Sequence, residues 1–220
     1  MKTPLPFRII PCDEWGAASP RGRIKTSPKP SRTIFHHTAG HHPNLDADAG
    51  ESYAESVAYA KAIQRSHFAN GWVDSGHNFL ITRSGFILEG RHRSLSSIAA
   101  GRMVVSAHCL GQNDQPGIEH EHRGKETMTP IQYEASVWLH AWICRRCRIR
   151  PVAIYPHRKF FATACPANLA DAIPGIRRDV AAALTPEVSP AWWAKYLPKS
   201  KADRAKFFAA LREMQRRLDG

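Results

Sequence analysis

Two short segments that lie far apart in the sequence constrain the fold of this chain most. Residues 34–38 read Ile-Phe-His-His-Thr, and His157 is followed eight residues later by Cys165. Together the segments supply two imidazoles and one thiolate, a ligand set suited to a catalytic zinc ion. Three protein ligands leave the fourth tetrahedral position open for water, whereas structural zinc sites are usually closed by four. From these residues alone, either His36 or His37 could be the first ligand.

Residues 33–35 have the apolar, β-branched pattern of a buried strand that leads into the first histidine pair. Successive side chains of a strand point to opposite faces. Ile34 and His36 are therefore predicted on one face of the sheet, with Phe35 and His37 on the other.

The rest of the chain up to residue 184 alternates between strand and helix patterns. In order, we predict a helix over 52–69, a hairpin of strands 78–82 and 86–89, a strand over 117–122, a helix starting at Thr129, a strand over 152–155, and a helix over 169–184 interrupted near Pro174. Pro130 takes the first position of its helix, and Gln132 is predicted to complete a capping box with Thr129. This mixture predicts an α/β fold, a single domain with a mixed central β-sheet flanked by helices.

The composition changes after residue 184. A linker-like Thr-Pro-Glu-Val-Ser-Pro run is followed by a basic segment whose residues Phe207, Leu211, Met214 and Leu218 have helical spacing. We therefore expect residues 1–184 to form the main domain and residues 185–220 to form a linker and a basic amphipathic helical tail. The tail either docks its apolar stripe on the domain or holds the protein to an anionic wall polymer or membrane surface.

The charge of the chain indicates an anionic partner, because its 220 residues carry a formal net charge of +12. A nucleic-acid partner is not expected, since no recognition motif with interleaved aromatic residues accompanies the basic residues. The sequence has no apolar run long enough to span a membrane and no signal-peptide pattern, which predicts a protein made and kept in a cytoplasm. The odd count of five cysteines agrees with a reducing compartment.

Several motifs in a fixed order carry a family resemblance. They are Trp15-Gly16-Ala17, residues 36–40, residues 71–81, residues 85–91, Ala107-His108 and residues 163–166. With these motifs the chain resembles the zinc-dependent N-acetylmuramoyl-L-alanine amidases of the type 2 amidase and peptidoglycan recognition protein family. The resemblance covers roughly residues 8–184, which it implies are the amidase catalytic domain, and leaves the tail uncovered.

The resemblance assigns His36, and not His37, as the first zinc ligand, with His157 as the second and Cys165 as the third. It implies a Zn²⁺ cofactor and peptidoglycan as the partner. The reaction it implies is hydrolysis of the amide between N-acetylmuramic acid and the L-alanine of the stem peptide. Recycling enzymes of the family typically have aspartate as the third ligand, so Cys165 sets this chain apart from them.

The resemblance also offers two candidates for the general base. Glu119 matches a catalytic glutamate of the muropeptide-recycling branch, and His77 lies where other branches usually carry a tyrosine. We hypothesise that Glu119 is the base and that His77 orients the water or stabilises the oxyanion. Thr163 matches an oxyanion or substrate-contact position, and His108 and Asn78 are expected to contact substrate.

Simpler interpretations exist for each of these residues. Glu119 could be a sheet carboxylate paired with an arginine, His77 and His108 could be buried structural histidines, and His67 is interpreted as a packing residue. His120 and His122 are expected to face solvent with His41 and His42, and the two thiols of Cys144-Arg145-Arg146-Cys147 are interpreted as structural.

The expected role is that of a phage or prophage endolysin, a bacteriolytic enzyme that accumulates in the cytoplasm of its bacterial host and reaches the wall after the membrane is opened. A cytoplasmic recycling amidase is the nearest enzymatic alternative. The alternative from another class is a non-catalytic peptidoglycan-binding protein, which the presence of Cys165 disfavours.

Overall fold

The computed structural model of the protein describes residues 7–40 and 52–184. Its core is a six-stranded sheet in the spatial order β1-β5-β4-β7-β3-β8. In chain order the strands of this sheet are β1 (Ile9–Ile10), β3 (Thr33–His37), β4 (Phe79–Ile81), β5 (Ile87–Glu89), β7 (Gly117–His120) and β8 (Ile154–Pro156). A small separate sheet pairs β2 (Thr26–Ser27) with β6 (Met103–Val104).

The large sheet is mixed, as predicted. Its hairpin strands β4 and β5 are antiparallel, whereas β7, β3 and β8 run parallel to one another. Parallel neighbours need helical crossovers that cover the sheet faces. The helices are α1 (Tyr53–Ala69), α2 (Ser94–Ala99), α3 (Pro130–Cys147) and α4 (Ile173–Leu184).

Two apolar layers sandwich the sheet. On one face Leu80 and Leu88 pack with Trp15 and with Ala60 of α1. The larger layer lies on the other face, where side chains of α3 and α4 pack on strand residues including Phe35, Phe79, Ile81 and Ile118. The alternation predicted for residues 34–37 thus decides which side chains meet α1 and which meet α3.

The helix ends follow local chemistry. The Ser52 hydroxyl accepts from the backbone N of Glu55, and the Glu55 carboxylate accepts from the backbone N of Ser52, which forms a complete capping box on α1. Thr129 caps α3 as predicted, but the predicted box there is wrong. The side chain of Gln132 instead donates to the carbonyls of Ile81 and Glu121, because it is fully buried against the strands.

Two predicted boundaries also shift. The strand predicted over 152–155 begins later, because residues 151–153 form a 3-10 turn before β8. The helix predicted over 169–184 starts as a 3-10 segment, and regular α-helix begins at Ile173 with Pro174 in its first turn. The tail, residues 185–220, lies outside the described residues, as do His41 and His42. Within the described part, no helix is both long and apolar enough to cross a membrane.

Candidate metal centre and active site

The fold brings the three predicted metal ligands together. One ligand atom each from His36, His157 and Cys165 lies within 4.8 Å of the other two. Because β3 and β8 are parallel and Phe35 is opposite Pro156, His157 follows β8 directly beside His36. The loop after His157 then returns Cys165, whose Sγ is 3.7 Å from His36 Nδ1.

Strand alternation separates the two adjacent histidines. The ring of His36 lies 4.3 Å from that of His157, centroid to centroid, on the face that α1 covers. His37 points to the opposite side, where its ring lies 5.6 Å from that of His122. His37 still contributes to the site through its backbone N, which donates to Cys165 Sγ at 3.4 Å.

The chemistry of these donors fits a zinc ion. Two imidazole nitrogens and one thiolate are zinc ligands, and a set of three leaves a position for water. His157 Nε2 is buried and has no hydrogen-bond partner among the described residues, a deficit that a cation could satisfy. Burial raises the pKa of the Cys165 thiol to about 12 in the absence of a cation, so a nearby positive ion is what would hold it as thiolate.

Glu119 lies on β7 directly opposite His36 on β3, so both side chains rise from the same face of the sheet. Its carboxylate Oε2 lies in close contact with His77 Nδ1, and 18% of the side chain is exposed. Burial alone would raise the pKa of Glu119, but His77, His67 and His37 outweigh it and lower the pKa. The partner of this carboxylate is therefore a histidine and not an arginine, and the group is ionised at neutral pH.

The backbone of Gly90 packs closely against His77. A Cβ atom at Gly90 would lie 2.7 Å from His77 Cδ2 and 2.8 Å from its carbonyl oxygen, closer than real Cβ contacts. Only glycine lets this strand end approach the ring. The position of His77 thus depends on the Glu89-Gly90-Arg91 segment at the end of β5.

His67 belongs to the site although its position in the sequence indicated only packing. It lies near the end of α1, its ring stacks on Trp72 at 4.7 Å, and its ligand atom is within 4.8 Å of those of His77 and Glu119. Its Nδ1 accepts a hydrogen bond from the backbone N of Gly76 at 3.0 Å. Burial lowers the pKa of His67 to about 4, so the ring is neutral and Nε2 must carry the proton.

This tautomer has a consequence for the cluster of His67, His77 and Glu119. A nitrogen that carries a proton cannot ligate a metal. The cluster is consequently a carboxylate flanked by two imidazoles, and not a second metal site. No sequence spacing marks His67, because its helix and the turn at Gly76 meet only in the folded chain.

His108 packs against the metal centre. Its Nδ1 is 2.8 Å from His36 Nε2, and its Nε2 is 2.8 Å from the carbonyl oxygen of Gln115. Its ring stands edge-on to that of His36, with 4.7 Å between centroids. Burial lowers the pKa of His108 to about 4, so this ring is neutral too.

The substrate contact predicted for Asn78 needs correction. Asn78 is 0% exposed. Its Oδ1 accepts from the backbone N of Gly117, while its Nδ2 donates to Ser94 Oγ and to the carbonyl of Val104. Asn78 is therefore a structural clamp between β4, α2 and the start of β7, and it cannot reach a ligand.

Thr163 lies beside the metal centre, where its Oγ1 accepts from the backbone N of Cys165 at 3.2 Å. This hydrogen bond orders the ligand loop. The hydroxyl proton is not used in that bond, which leaves the substrate role of Thr163 as a prediction.

Two of the remaining histidines depart from expectation. His120 and His122 are fully buried and do not face solvent. His120 bonds to the His36 carbonyl and to Ser136, and His122 donates to the Glu126 carbonyl, because β7 continues under α3.

Cys144 and Cys147 are free and buried in the core, where burial raises the pKa of the two thiols to about 12 and about 11.

The fold and the site define a mixed α/β protein with three convergent side chains that could hold a metal ion and a carboxylate on the adjacent strand. The family model for N-acetylmuramoyl-L-alanine amidase matches residues 26–168, which is more than half of the chain. The chain belongs to this family.

Individual relatives agree with this assignment. Peptidoglycan-recognition protein SC2 of Drosophila simulans is 30% identical over 166 residues, which are 74% of this chain and 82% of the relative. Human N-acetylmuramoyl-L-alanine amidase is 28% identical over 73% of this chain, a stretch that is 26% of the human protein. The endolysin amidase LysCS from Clostridium intestinale has a TM-score of 0.61 at 21% identity and matches 82% of this chain and 99% of its own, a similarity of fold.

Proposed function

We propose that this protein is a zinc-dependent N-acetylmuramoyl-L-alanine amidase that hydrolyses the amide between N-acetylmuramic acid and L-alanine in peptidoglycan. The observation that carries the proposal is the convergence of His36, His157 and Cys165 within 4.8 Å, with Glu119 opposite His36 on the next strand. Membership of the family indicates the substrate class, and the side chains of the site indicate how the amide would be hydrolysed.

The residues divide the work of amide hydrolysis. His36, His157 and Cys165 would hold the zinc ion, which when bound polarises the scissile carbonyl and lowers the pKa of water to about 7. Glu119 accepts the proton of the attacking water on Oε1, since Oε2 contacts His77. The same carboxyl then gives the proton to the leaving amine of L-alanine. His77 holds the carboxylate in place and lies where it can orient the water.

Among the alternatives, a non-catalytic peptidoglycan-binding protein has no need of a thiolate ligand or of an ionised carboxylate beside it. The presence of both groups favours cleavage over binding alone. The contact between Glu119 and His77 favours one second candidate, a cytoplasmic amidase that recycles soluble muropeptides, because the recycling branch resembles this chain in both residues. The two enzymes would differ in substrate size, since a recycling amidase cleaves soluble fragments and leaves intact walls.

We place the activity in lysis, with the protein accumulating in the host bacterial cytoplasm and acting on the wall after release. The net charge of +12 supports attraction to anionic walls, and an endolysin shares the fold. Release can be tested by expressing the chain in bacteria with and without a pore-forming protein. Lysis that needs no pore would contradict this placement.

The decisive experiment incubates the zinc-loaded protein with purified peptidoglycan and analyses the products by mass. Free stem peptides with an unblocked L-alanine amine should appear, vanish with a chelator and return with added zinc. Cys165→Ser should lose zinc and activity, whereas Cys144→Ser, at a buried thiol outside the ligand set, should keep both. If zinc-loaded protein releases no such peptide, the proposed function is wrong.

A further inference from the structure

A chain of hydrogen bonds leads from the protein backbone to the metal centre. The Gln115 carbonyl oxygen is 2.8 Å from His108 Nε2, and His108 Nδ1 is 2.8 Å from His36 Nε2. The other ring nitrogen of His36, Nδ1, faces Cys165 Sγ at 3.7 Å. Each link joins two atoms whose donor and acceptor roles can be deduced.

The carbonyl fixes the direction of the whole chain. A carbonyl oxygen only accepts hydrogen bonds, so His108 Nε2 must carry the proton that it donates to Gln115. In a neutral ring the other nitrogen, Nδ1, is then an acceptor, and its partner, His36 Nε2, must be the donor. His36 is left with a lone pair on Nδ1, which is the atom that faces Cys165.

We propose that His108 is a positioning residue that holds His36 in the one tautomer able to bind the metal ion through Nδ1. This inference rests on the proposed zinc centre, and it deepens it by assigning a role to a residue that ligates nothing. An imidazole ligand usually donates its second N–H to an outer partner, which fixes the tautomer and the ring orientation. Here the outer partner is a second histidine, itself directed by a carbonyl.

The residues around His108 restrict the position of its ring. A Cβ atom at Gly117 would overlap the His108 ring, so only glycine at the start of β7 leaves room for it. Gln115 is held in turn, because its Oε1 accepts from the backbone N atoms of Ser31 and Arg32 at 2.9 and 3.2 Å. The segment that precedes β3 therefore holds in place the residue whose carbonyl directs these hydrogen bonds.

Substitutions at His108 separate the acceptor from the bulk of the ring. His108→Phe keeps an aromatic ring but removes the acceptor, so His36 loses its preferred tautomer and zinc affinity should fall by about 10-fold to 100-fold. His108→Asn offers Oδ1 near the position of Nδ1 and should recover most of that affinity. Gly117→Ala keeps every nitrogen but displaces the ring, and it should weaken zinc binding in the same direction.

Two measurements that need no catalysis test the proposal. Competition with a chelator of known affinity gives the zinc dissociation constant of each variant, with circular dichroism as a check on folding. Nitrogen NMR of the metal-free wild type reads the His36 tautomer directly and is expected to show the proton on Nε2. A proton on Nδ1 in the wild type, or equal zinc affinity in folded His108→Phe, would overturn the role of His108.

These outcomes are distinct from a failure of the proposed function. A wild type that binds no zinc, or binds zinc and cleaves nothing, refutes the amidase proposal. A wild type that binds zinc and cleaves, with a folded His108→Phe of equal affinity, refutes only the positioning role.

Discussion

At the scale of single residues, the proposed chemistry depends on a carboxylate that stays ionised although its side chain is only 18% exposed. The contact of Glu119 with His77 and the proximity of His67 and His37 lower its pKa against the effect of burial. Because it is ionised, such a group is in the protonation state that can accept a proton from water. In the proposed mechanism the metal ligands would hold the ion, and Glu119 would move the proton.

The first prediction separates these two tasks. Glu119→Gln should lower kcat by about 10²-fold to 10⁴-fold, because the amide cannot accept the proton, while zinc content stays at the wild-type level. The rate of stem-peptide release and metal analysis of the same sample measure both quantities. Near-normal turnover in Glu119→Gln would transfer the role of base to His77, and His77→Gln should then show the large loss.

Asp74 is a second carboxylate whose hydrogen bonds determine the direction of its pKa shift. It is fully buried and accepts hydrogen bonds from Gln64, from the backbone N of Ser75, and from the backbone N and the ring of His92. Burial alone would raise the pKa of Asp74, but these hydrogen bonds lower it, and the hydrogen bond that the His92 ring donates to Asp74 raises the pKa of His92. The pair anchors the turn that leads to His77.

This pair predicts a pH window for stability, between about pH 4 and pH 6.5. The raised pKa of His92 adds stability that is complete below its unfolded value and is lost as the pH rises through its folded value. The lowered pKa of Asp74 adds stability that is complete above its unfolded value and is lost as the pH falls through its folded value. The drop in Tm caused by His92→Gln should therefore be larger at about pH 5.5 than at about pH 9. An equal drop at both pH values would show that the charge on His92 adds nothing.

The position of a single residue could be predicted from the sequence only where a local rule, such as strand alternation, applied. Alternation predicted that His36 and His37 would part to opposite faces, and the structure confirms it. The role of Asn78 was misjudged, because a buried amide that clamps two strands and a surface amide that binds ligand look the same in sequence. His67 was missed since its partner, the backbone N of Gly76, is brought close only by tertiary folding.

At the scale of elements, the sequence predicted the helices and strands well where capping residues and alternation coincided. The hairpin of β4 and β5 and the cap at Thr129 are examples. Prediction failed where burial overrode a local motif. Gln132 has the spacing of a capping box, but its side chain serves two carbonyls at strand ends instead.

The cap of α3 gives a prediction at this scale. Thr129 Oγ1 accepts from the backbone N of Gln132 at 3.1 Å and donates to the carbonyl of Arg83 at 2.5 Å. Thr129→Ala removes both bonds and should lower the free energy of unfolding by about 1–2 kcal/mol. Thr129→Ser keeps the hydroxyl and should cost much less.

Urea denaturation of the three proteins measures these differences, with the m-value as a check that unfolding stays two-state. If serine and alanine destabilise α3 equally, packing of the threonine methyl group and not capping explains the loss. Zinc content should be unchanged in both variants, since α3 lies on the face of the sheet opposite His36.

At the scale of the whole molecule, the site is a product of strand order. His36 on β3 meets Glu119 on β7 and His157 just after β8, because β7 and β8 are both parallel neighbours of β3, although they follow it far along the chain. Hydrophobic patterns indicate that strands exist but carry no information on which strands pair. The residues themselves indicated the type of ligand set, but only the family resemblance assigned His36, and not His37, to it.

The last prediction concerns the charge of the molecule and its tail. Residues 185–220 contain eight lysines and arginines and four aspartates and glutamates, so most of the net charge of +12 lies in residues 1–184. Binding to purified walls should weaken as salt rises from about 0.05 M to about 0.5 M, because screening shortens the range of the attraction.

A chain ending at Leu184 should bind walls more weakly than the full chain yet keep a clear salt dependence. Sedimentation with walls measures this, and retention on DNA at the same salt is the comparison, since binding through charge alone would be equal on both. A shortened chain that no longer sediments but keeps its Tm would assign wall binding to the tail, whereas a lowered Tm would show that the tail docks on the domain.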